Sequence, residues 1–281
     1  MVRAWPVELA QVVYDLLLEM WTDKHIPEWW RWRWLIPLPK KPTAPTLEEL
    51  RPIMLIEVLR KLWTGLVMDK VHGVINRHGV LQTSQHGFQR AHGTDTANLQ
   101  LVNVLEEAKT KRLNLYGSSW DMAKAFDSVS KPIIRLAWSR LGVSPDIVDW
   151  LVRIDEDSRT VVRSSWASGQ WIRQGYAGLA DEHYHPDKGT GQGDVSSPQI
   201  WVAVFDIPLC ALAMVDHPGR FHLTNSKGVR YLAPDVCYAD DVVSFSSTLA
   251  GLQAQGTMMS LSAHIMGLTL AVGKLRVFKQ R

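Results

Sequence analysis

Three aspartates, Asp121, Asp240 and Asp241, are the residues whose type and setting point most directly to chemistry. Asp240 and Asp241 stand in tandem between two apolar runs, Val236-Cys237-Tyr238 and Val242-Val243-Ser244-Phe245, and Asp121 ends a short run of strand character. Carboxylates set among apolar side chains lose hydration and need a compensating charge. A divalent cation supplies it, and Mg²⁺ suits a few carboxylates plus substrate phosphates. Two such ions about 3.5–4 Å apart clamp an in-line phosphoryl displacement, one activating the attacking hydroxyl and the other holding the leaving pyrophosphate. Tandem aspartates also suit an ordinary turn, so their surroundings must decide.

The elements that would position them read as a mixed set. Val7, Ala10, Val13, Leu17 and Met20 recur at helical spacing, and Pro27 ends that region. Trp29-Trp30-Arg31-Trp32-Arg33-Trp34 alternates rings with guanidinium groups and predicts a strand with one basic face. Its rings are expected to pack inward, while Arg31 and Arg33 face water or nucleic acid. Residues 39–50 read as a loop. A helix is predicted over 56–75, with Leu59, Leu62, Trp63, Leu66 and Val67 on its apolar stripe. Another covers 94–109, capped by Thr94 or Asp95. Residues 113–121 form the strand that delivers Asp121. Helices start at Ser130, at Ser144-Pro145 and at Ser197-Pro198. Residues 159–166 and 171–176 read as a hairpin around Ser168-Gly169. Residues 229–238 and 242–246 are two strands meeting at Asp240-Asp241, and 269–278 is a last strand. This unordered mixture of strands and helices argues α+β.

Composition bounds the class without naming it. The 281 residues are 46% hydrophobic and 21% charged, enough for a sizeable core, and a formal net charge of +3 permits a polyanionic partner without requiring one. Cys210 and Cys237 lie in apolar runs, which excludes a disulfide scaffold and predicts buried thiols in a reducing, intracellular setting, nucleus and cytoplasm being equally open. The longest apolar run, 200–215, is interrupted by Asp206 and Pro208, so no membrane span is predicted. Asp181-Glu182-His183-Tyr184-His185-Pro186-Asp187 imitates a metal cluster but lacks spaced partner ligands, and reads as an exposed insertion loop. Gly189-x-Gly191-x-Gly193 lacks the spacing and downstream acid of a dinucleotide fingerprint.

Six segments in one order resemble a known family. Leu50-Arg51-Pro52-Ile53, Gln85-His86-Gly87-Phe88-Gln89-Arg90, Asp121-Met122-Ala123-Lys124-Ala125-Phe126-Asp127, Gly189-Thr190-Gly191-Gln192-Gly193-Asp194-Val195-Ser196-Ser197-Pro198, Tyr238-Ala239-Asp240-Asp241, and Gly267-Leu268-Thr269-Leu270 through Lys274 are similar to the motifs of reverse transcriptases. Those of non-long-terminal-repeat retrotransposons are the nearest in pattern, followed by group II intron enzymes. The resemblance implies a right-hand polymerase with fingers and a palm built on a split β-α-β core. Residues 1–112 would be an N-terminal extension and fingers, and 113–281 the palm, with part of 140–190 returning to the fingers. The sequence ends just after the last motif, so a thumb is expected to be absent and polymerisation weak and distributive, or lacking altogether.

The same resemblance implies residue roles. Asp121, Asp240 and Asp241, with the Met122 carbonyl, would hold two Mg²⁺ ions, Mn²⁺ being the alternative. Lys274 would protonate the leaving pyrophosphate. Lys40 (or Lys41) and Arg51 would grip the triphosphate, Arg60 and Lys61 would track the template, Phe126 would exclude a ribose 2′-hydroxyl, and Gln192, Gly193 and Tyr238 would contact nucleotide and template, with Gly191 and Gly193 letting the backbone approach the nucleotide closely. The implied partners are an RNA template, a DNA primer, deoxynucleotides and further domains of a longer element. Ala271, Leu275 and Gly191 depart from common family residues. A competing reading is an inactive retroelement relic or maturase-like RNA-binding protein. A nucleotidyl cyclase would share the aspartates but has no use for Gln192 or Phe126.

Overall fold

A computed structural model of the chain describes residues 5–42, 46, 49–156, 158–163, 188–217 and 219–280. In chain order the elements are α1 (Val7–Thr22), α2 (Glu28–Arg31), β1 (Trp32–Pro39), β2 (Leu50–Leu55), α3 (Val58–His78), α4 (Thr94–Thr110), β3 (Leu115–Trp120), β4 (Met122–Ala123), α5 (Ala125–Ser128), α6 (Lys131–Arg140), α7 (Pro145–Glu156) and β5 (Arg159–Val162). They continue as α8 (Ser197–Ala213), β6 (His222–Thr224), β7 (Arg230–Leu232), β8 (Val236–Tyr238), β9 (Asp241–Ser246), α9 (Leu249–Ile265), β10 (Thr269–Leu270), a 3-10 turn (Val272–Lys274) and β11 (Arg276–Gln280). The chain divides into two compact units. One comprises Met1–Lys70, Ser144–Asp187 and Gly191–Ser196, the other Val71–Val143, Lys188–Thr190 and Ser197–Arg281.

In the first unit a three-stranded sheet runs β2-β1-β5. β2 pairs antiparallel with β1 (Ile36 opposite Ile53), and β5 pairs with β1 in parallel (Trp34 opposite Val161). The predicted stripe of α1 holds in its later turns, where Leu17 and Met20 are buried and Ala10 and Val13 half-buried, but not at Val7, which is exposed. Trp21 of that helix meets Trp63 and Trp150 edge-on, with ring centroids 5.8 and 5.2 Å apart.

Two expectations here are reversed. Residues 28–31 form a helical turn, not strand, and Trp30 is fully buried; from β1 onward Trp32 and Trp34 are the partly exposed residues while Arg33 is buried. Arg60, expected to track a template, is likewise in the core. The reason is a buried charge network. Arg60 donates to the Trp30 carbonyl at 2.8 Å and to Asp155 and Asp194 at 3.0 Å each. Arg33 donates to Thr160 at 2.8 Å and lies 3.3 Å from Asp155. Two guanidinium groups against two carboxylates cancel, which makes their burial tolerable. The network also turns α3: Arg60, Trp63, Thr64, Met68, Val71, His72 and Ile75 are the buried positions, while Leu66 of the predicted stripe is exposed.

The second unit carries a four-stranded antiparallel sheet, β11-β3-β9-β8. One face packs on α4, where Ala97, Val104 and Ala108 meet Leu115, Val236, Phe245 and Phe278. Gly117 is required there, because a Cβ would lie 2.1 Å from the Phe278 ring. The other face carries Ser118, Ser244 and Ser246, and Gln255 of α9 reaches across to donate to the Phe245 carbonyl at 3.1 Å. α8 is largely apolar and largely buried between Ile200 and Leu212, with Ile207, Cys210 and Ala211 half-buried and the buried Asp206 paired with Arg140.

Several predicted boundaries hold: α6 follows Ser130, and α7 and α8 open at Ser144-Pro145 and Ser197-Pro198. Others shift. α4 is preceded by Gly93, whose N–H donates to the Thr96 hydroxyl at 3.0 Å, so neither Thr94 nor Asp95 is the cap. The strand expected over 229–238 changes partner midway: β7 pairs with β6, β8 with β9, and Pro234 between them has no N–H to donate. The strand expected over 269–278 is split by the 3-10 turn into β10, which pairs with β4, and β11, which pairs with β3. β5 pairs with β1; the rest of the hairpin expected around 168–169, and the acidic and histidine-bearing run 181–187, lie outside the described residues.

Removing one member of a buried ion network leaves its partner uncompensated. Arg60→Met is therefore expected to lower stability by about 3–5 kcal/mol. Urea unfolding followed by tryptophan fluorescence checks this, and a loss under about 1 kcal/mol would return Arg60 to the status of a surface charge.

Candidate active site

The sheet of the second unit brings the three aspartates together. β3 and β9 pair antiparallel, ending with Trp120 opposite Val242. Asp121 follows Trp120 directly and Asp241 precedes Val242, so the antiparallel register sets the two aspartates at the same end of the strand pair, close enough for the charge of Asp121 to act on Asp241. β8 and β9 close as a hairpin with Tyr238 opposite Asp241, leaving Ala239 and Asp240 as its two-residue loop. Ala239 has φ +60, the left-handed value that the first position of a type II′ turn takes.

The far side of Asp121 is fixed by the chain that follows α9. Leu270 pairs with Met122, and the Ala271 N–H donates to the Asp121 carbonyl at 2.8 Å. The 3-10 turn then swings Lys274 back, so that its ammonium contacts the Asp121 carboxylate. Lys274 is thus part of the aspartate cluster, and the pairing with Asp121 raises its pKa. Met122 itself is buried.

Crowding shows in the protonation equilibria. Burial pushes Asp240 up to about 6, with the charges of Asp241 and Asp121 pushing in the same direction. Asp241 is raised as well, first by burial and then by Asp121. Among the described residues no three side chains of His, Cys, Asp or Glu stand close enough to enclose an ion as they are. Asp121 is instead turned to the Lys274 ammonium. The donor set is all carboxylate oxygen, the hard ligand chemistry that Mg²⁺ and Mn²⁺ favour, and its partly desolvated negative charge is what a divalent cation would relieve.

Phe126 lies in α5, directly after Lys124, whose φ of +51 turns the chain. Its half-buried ring tilts against Trp201, centroids 5.5 Å apart, and meets Phe88 edge-on at 6.4 Å. The Thr190 N–H donates to the Phe126 carbonyl at 2.7 Å, and Gly189, at φ +87, allows the close approach to Asp127. Tyr238 is 38% exposed, next to the aspartate turn.

The remaining site residues belong to the first unit. Gln192 bridges to Ile53 in parallel, and its carbonyl accepts from the Met54 N–H at 2.5 Å. Gly191 and Gly193 were expected to let a nucleotide approach. The approach they permit within this unit is to β2: a Cβ at either position would come within 2.7 Å of Met54 atoms. Asp194 caps the same turn, accepting from the Ser196 N–H and hydroxyl at 3.0 Å each, besides its bond to Arg60. Arg51 and Lys40 fall on one face of the β1–β2 hairpin, since Leu38 pairs with Arg51 and the Lys40 N–H donates to the Glu49 carbonyl. Lys41, the alternative, lies 3.8 Å from the Glu49 carboxylate.

The pattern of the family described as "Reverse transcriptase (RNA-dependent DNA polymerase)" matches residues 38–281, most of the chain. The chain belongs to the reverse transcriptase family. Among curated relatives, this reverse transcriptase chain is 27% identical over 233 residues to a retrovirus-related Pol polyprotein from the type-1 retrotransposable element R2 of Nasonia vitripennis, covering 83% of the chain and 20% of the relative. The R2 polyprotein of Popillia japonica is 26% identical, with 78% and 28% covered. The chain therefore spans a fifth to little more than a quarter of these relatives. Apo telomerase from Candida tropicalis, truncated from its C-terminal domain, shares the fold with a TM-score of 0.63 at 11% identity, over 96% of this chain and 56% of the other. Reverse transcriptases in general use divalent metal ions. Among the described residues no helix is long and apolar enough to cross a membrane.

Because Asp240 is harder to ionise in the folded chain than when unfolded, its contribution to stability is full below about pH 4 and is lost as pH rises through about 6. Metal-free protein is thus expected to gain a few degrees in Tm at pH 7.5 when Asp240→Asn removes the charge. The wild type should gain on adding Mg²⁺ and the variant little. Asp235 is also held near 6 by burial, so the difference between the two proteins, measured by scanning calorimetry across pH 4–8, isolates Asp240. Equal pH profiles would show that Asp240 ionises freely.

Proposed function

We propose that this chain is the polymerising core of an RNA-directed DNA polymerase from a retrotransposon-like element. It adds deoxynucleotides to a primer 3′-hydroxyl on an RNA template. The apposition of Asp121 with the Asp240-Asp241 hairpin across neighbouring antiparallel strands is the observation that carries this reading. The order of the motifs, and relatives whose names describe retrotransposon polyproteins and RNA-directed DNA polymerases, support it. In this reading residues 113–281 are the palm and 1–112 an N-terminal extension and fingers, with part of 140–190 returning to the fingers.

Asp121, Asp240 and Asp241 would hold two Mg²⁺ ions, with the Met122 carbonyl as a further ligand. Bound there, the ions would lower the pKa of the primer hydroxyl and neutralise the triphosphate. Lys274, its ammonium against Asp121, would serve as the proton donor for the leaving pyrophosphate. The half-buried Phe126 ring, backed by Trp201, presents an edge that a ribose 2′-hydroxyl would meet and a deoxyribose would not. Arg51 and Lys40, side by side on their hairpin, offer charge-assisted bonds to triphosphate oxygens. Gln192 and Gly193, held to β2, and Tyr238, beside the turn, would line nucleotide and template.

Primer extension on an RNA template with deoxynucleotides and Mg²⁺ tests the reading. Metal-dependent DNA product is expected, reduced by at least about a hundredfold to a thousandfold in Asp240→Asn. Product from the variant at the wild-type rate would refute the metal assignment. In the same assay Phe126→Val should raise ribonucleotide incorporation, and unchanged sugar discrimination would remove Phe126 from that role.

A further inference from the structure

Ala239 is an unusual residue for its place. The first position of a type II′ turn favours glycine, because a Cβ at positive φ crowds the following carbonyl. Here an alanine stands at φ +60, immediately before Asp240. Both of its backbone polar groups are met by side chains from elsewhere in the unit. The Gln85 amide oxygen accepts from the Ala239 N–H at 3.0 Å, and the Gln85 amide nitrogen donates to the Ala239 carbonyl at 3.2 Å. The Trp201 indole N–H donates to that carbonyl as well, at 2.9 Å.

Gln85 is itself held rigidly. It is 3% exposed, and its oxygen also accepts from the Gly87 N–H at 2.8 Å. Its backbone neighbours extend the sheet: the Cys237 N–H donates to the Ser84 carbonyl at 2.8 Å and the His86 N–H to the Cys237 carbonyl at 2.7 Å. Gly87 then passes so close that a Cβ on it would lie 2.3 Å from the Ala239 nitrogen. Segment 84–87 thus covers the β8 edge and grips the turn residue by both of its hydrogen-bonding groups.

We infer that Gln85, assisted by Trp201, is a positioning residue for the metal-binding carboxylates: it holds Ala239 in the left-handed conformation that aims Asp240 and Asp241. This rests on the function proposed above. Trp201 also lies against Phe126, so one indole backs the sugar-facing ring and the turn together. An amide satisfies the two opposite demands of a single residue's backbone, a donor for its carbonyl and an acceptor for its N–H; a carboxylate or an aliphatic chain cannot.

The experiment compares wild type, Gln85→Leu, Ala239→Gly and the double variant. It measures Mn²⁺ binding by electron paramagnetic resonance and resolves kcat from KM for the deoxynucleotide in primer extension. Gln85→Leu is expected to weaken Mn²⁺ binding about tenfold, as loss of an outer-shell partner does. It should lower kcat about tenfold to a hundredfold while leaving the nucleotide KM within about twofold. Ala239→Gly, which occupies positive φ freely, should restore most of both losses in the double variant. If Gln85→Leu does not fold, Trp201→Phe keeps the ring and removes the donor, and a smaller loss of the same kind, again rescued by Ala239→Gly, is expected. Wild-type Mn²⁺ affinity and kcat in the substituted protein, or a loss that Ala239→Gly fails to rescue, would overturn the inference. A wild-type chain that binds Mn²⁺ and extends primers while Gln85→Leu behaves identically would sink this inference alone; one that does neither would sink the proposed function with it.

Discussion

Three carboxylates at the end of one sheet repel one another, and the second unit is organised around tolerating that repulsion. Antiparallel pairing of β3 with β9 puts Asp121 and Asp241 on adjacent strands, and the hairpin turn adds Asp240. Burial makes matters worse, as the rise of Asp240 to about 6 records. The opposing contributions are structural. Lys274 is brought back by a 3-10 turn to lie against Asp121, and β10 pins the chain beyond Asp121 through Met122. A sheet held on both faces, by α4 and by α9, supplies the rigidity that a strained electrostatic arrangement needs.

The first unit meets a different electrostatic problem with a different answer. Arg33, Arg60, Asp155 and Asp194 are removed from water almost completely, and they balance. Their hydrogen bonds reach the turn that carries Gln192, through Asp194 and Ser196. The glycines on either side of Gln192 give that turn its close fit to β2. A segment read in the sequence as a nucleotide contact is therefore also one of the most tightly integrated pieces of its own unit.

Much of this was legible in residue types and spacing. Ser130, Ser144-Pro145 and Ser197-Pro198 punctuate helices by mechanisms local to the chain, and α6, α7 and α8 begin where those residues predict. The aspartates were legible because carboxylates between apolar strands have few explanations. What failed was non-local. Trp-Arg alternation says which residues share a face, but not which face is inward; that is decided by Asp155 and Asp194, more than a hundred residues later in the case of Arg33 and Asp155. The breaks at 233–235 and 272–274 reflect strands changing partners, which hydropathy along one strand does not encode. Gln85 stood inside a recognised motif, yet its tie to Ala239 depends on a positive φ that no composition announces.

The buried network has a bearing on the order in which the molecule can assemble. Arg60 finds Asp155 at a sequence separation of 95 residues and Asp194 at 134. A ribosome emits the guanidinium groups first and their counter-charges much later. Until residue 194 has emerged, the nascent chain holds two arginines against one aspartate, and the interior that would enclose them cannot close without stranding a charge. The turn bearing Gln192 thus serves as a keystone in time as well as in space, the last piece whose arrival lets the earlier strands and helices settle.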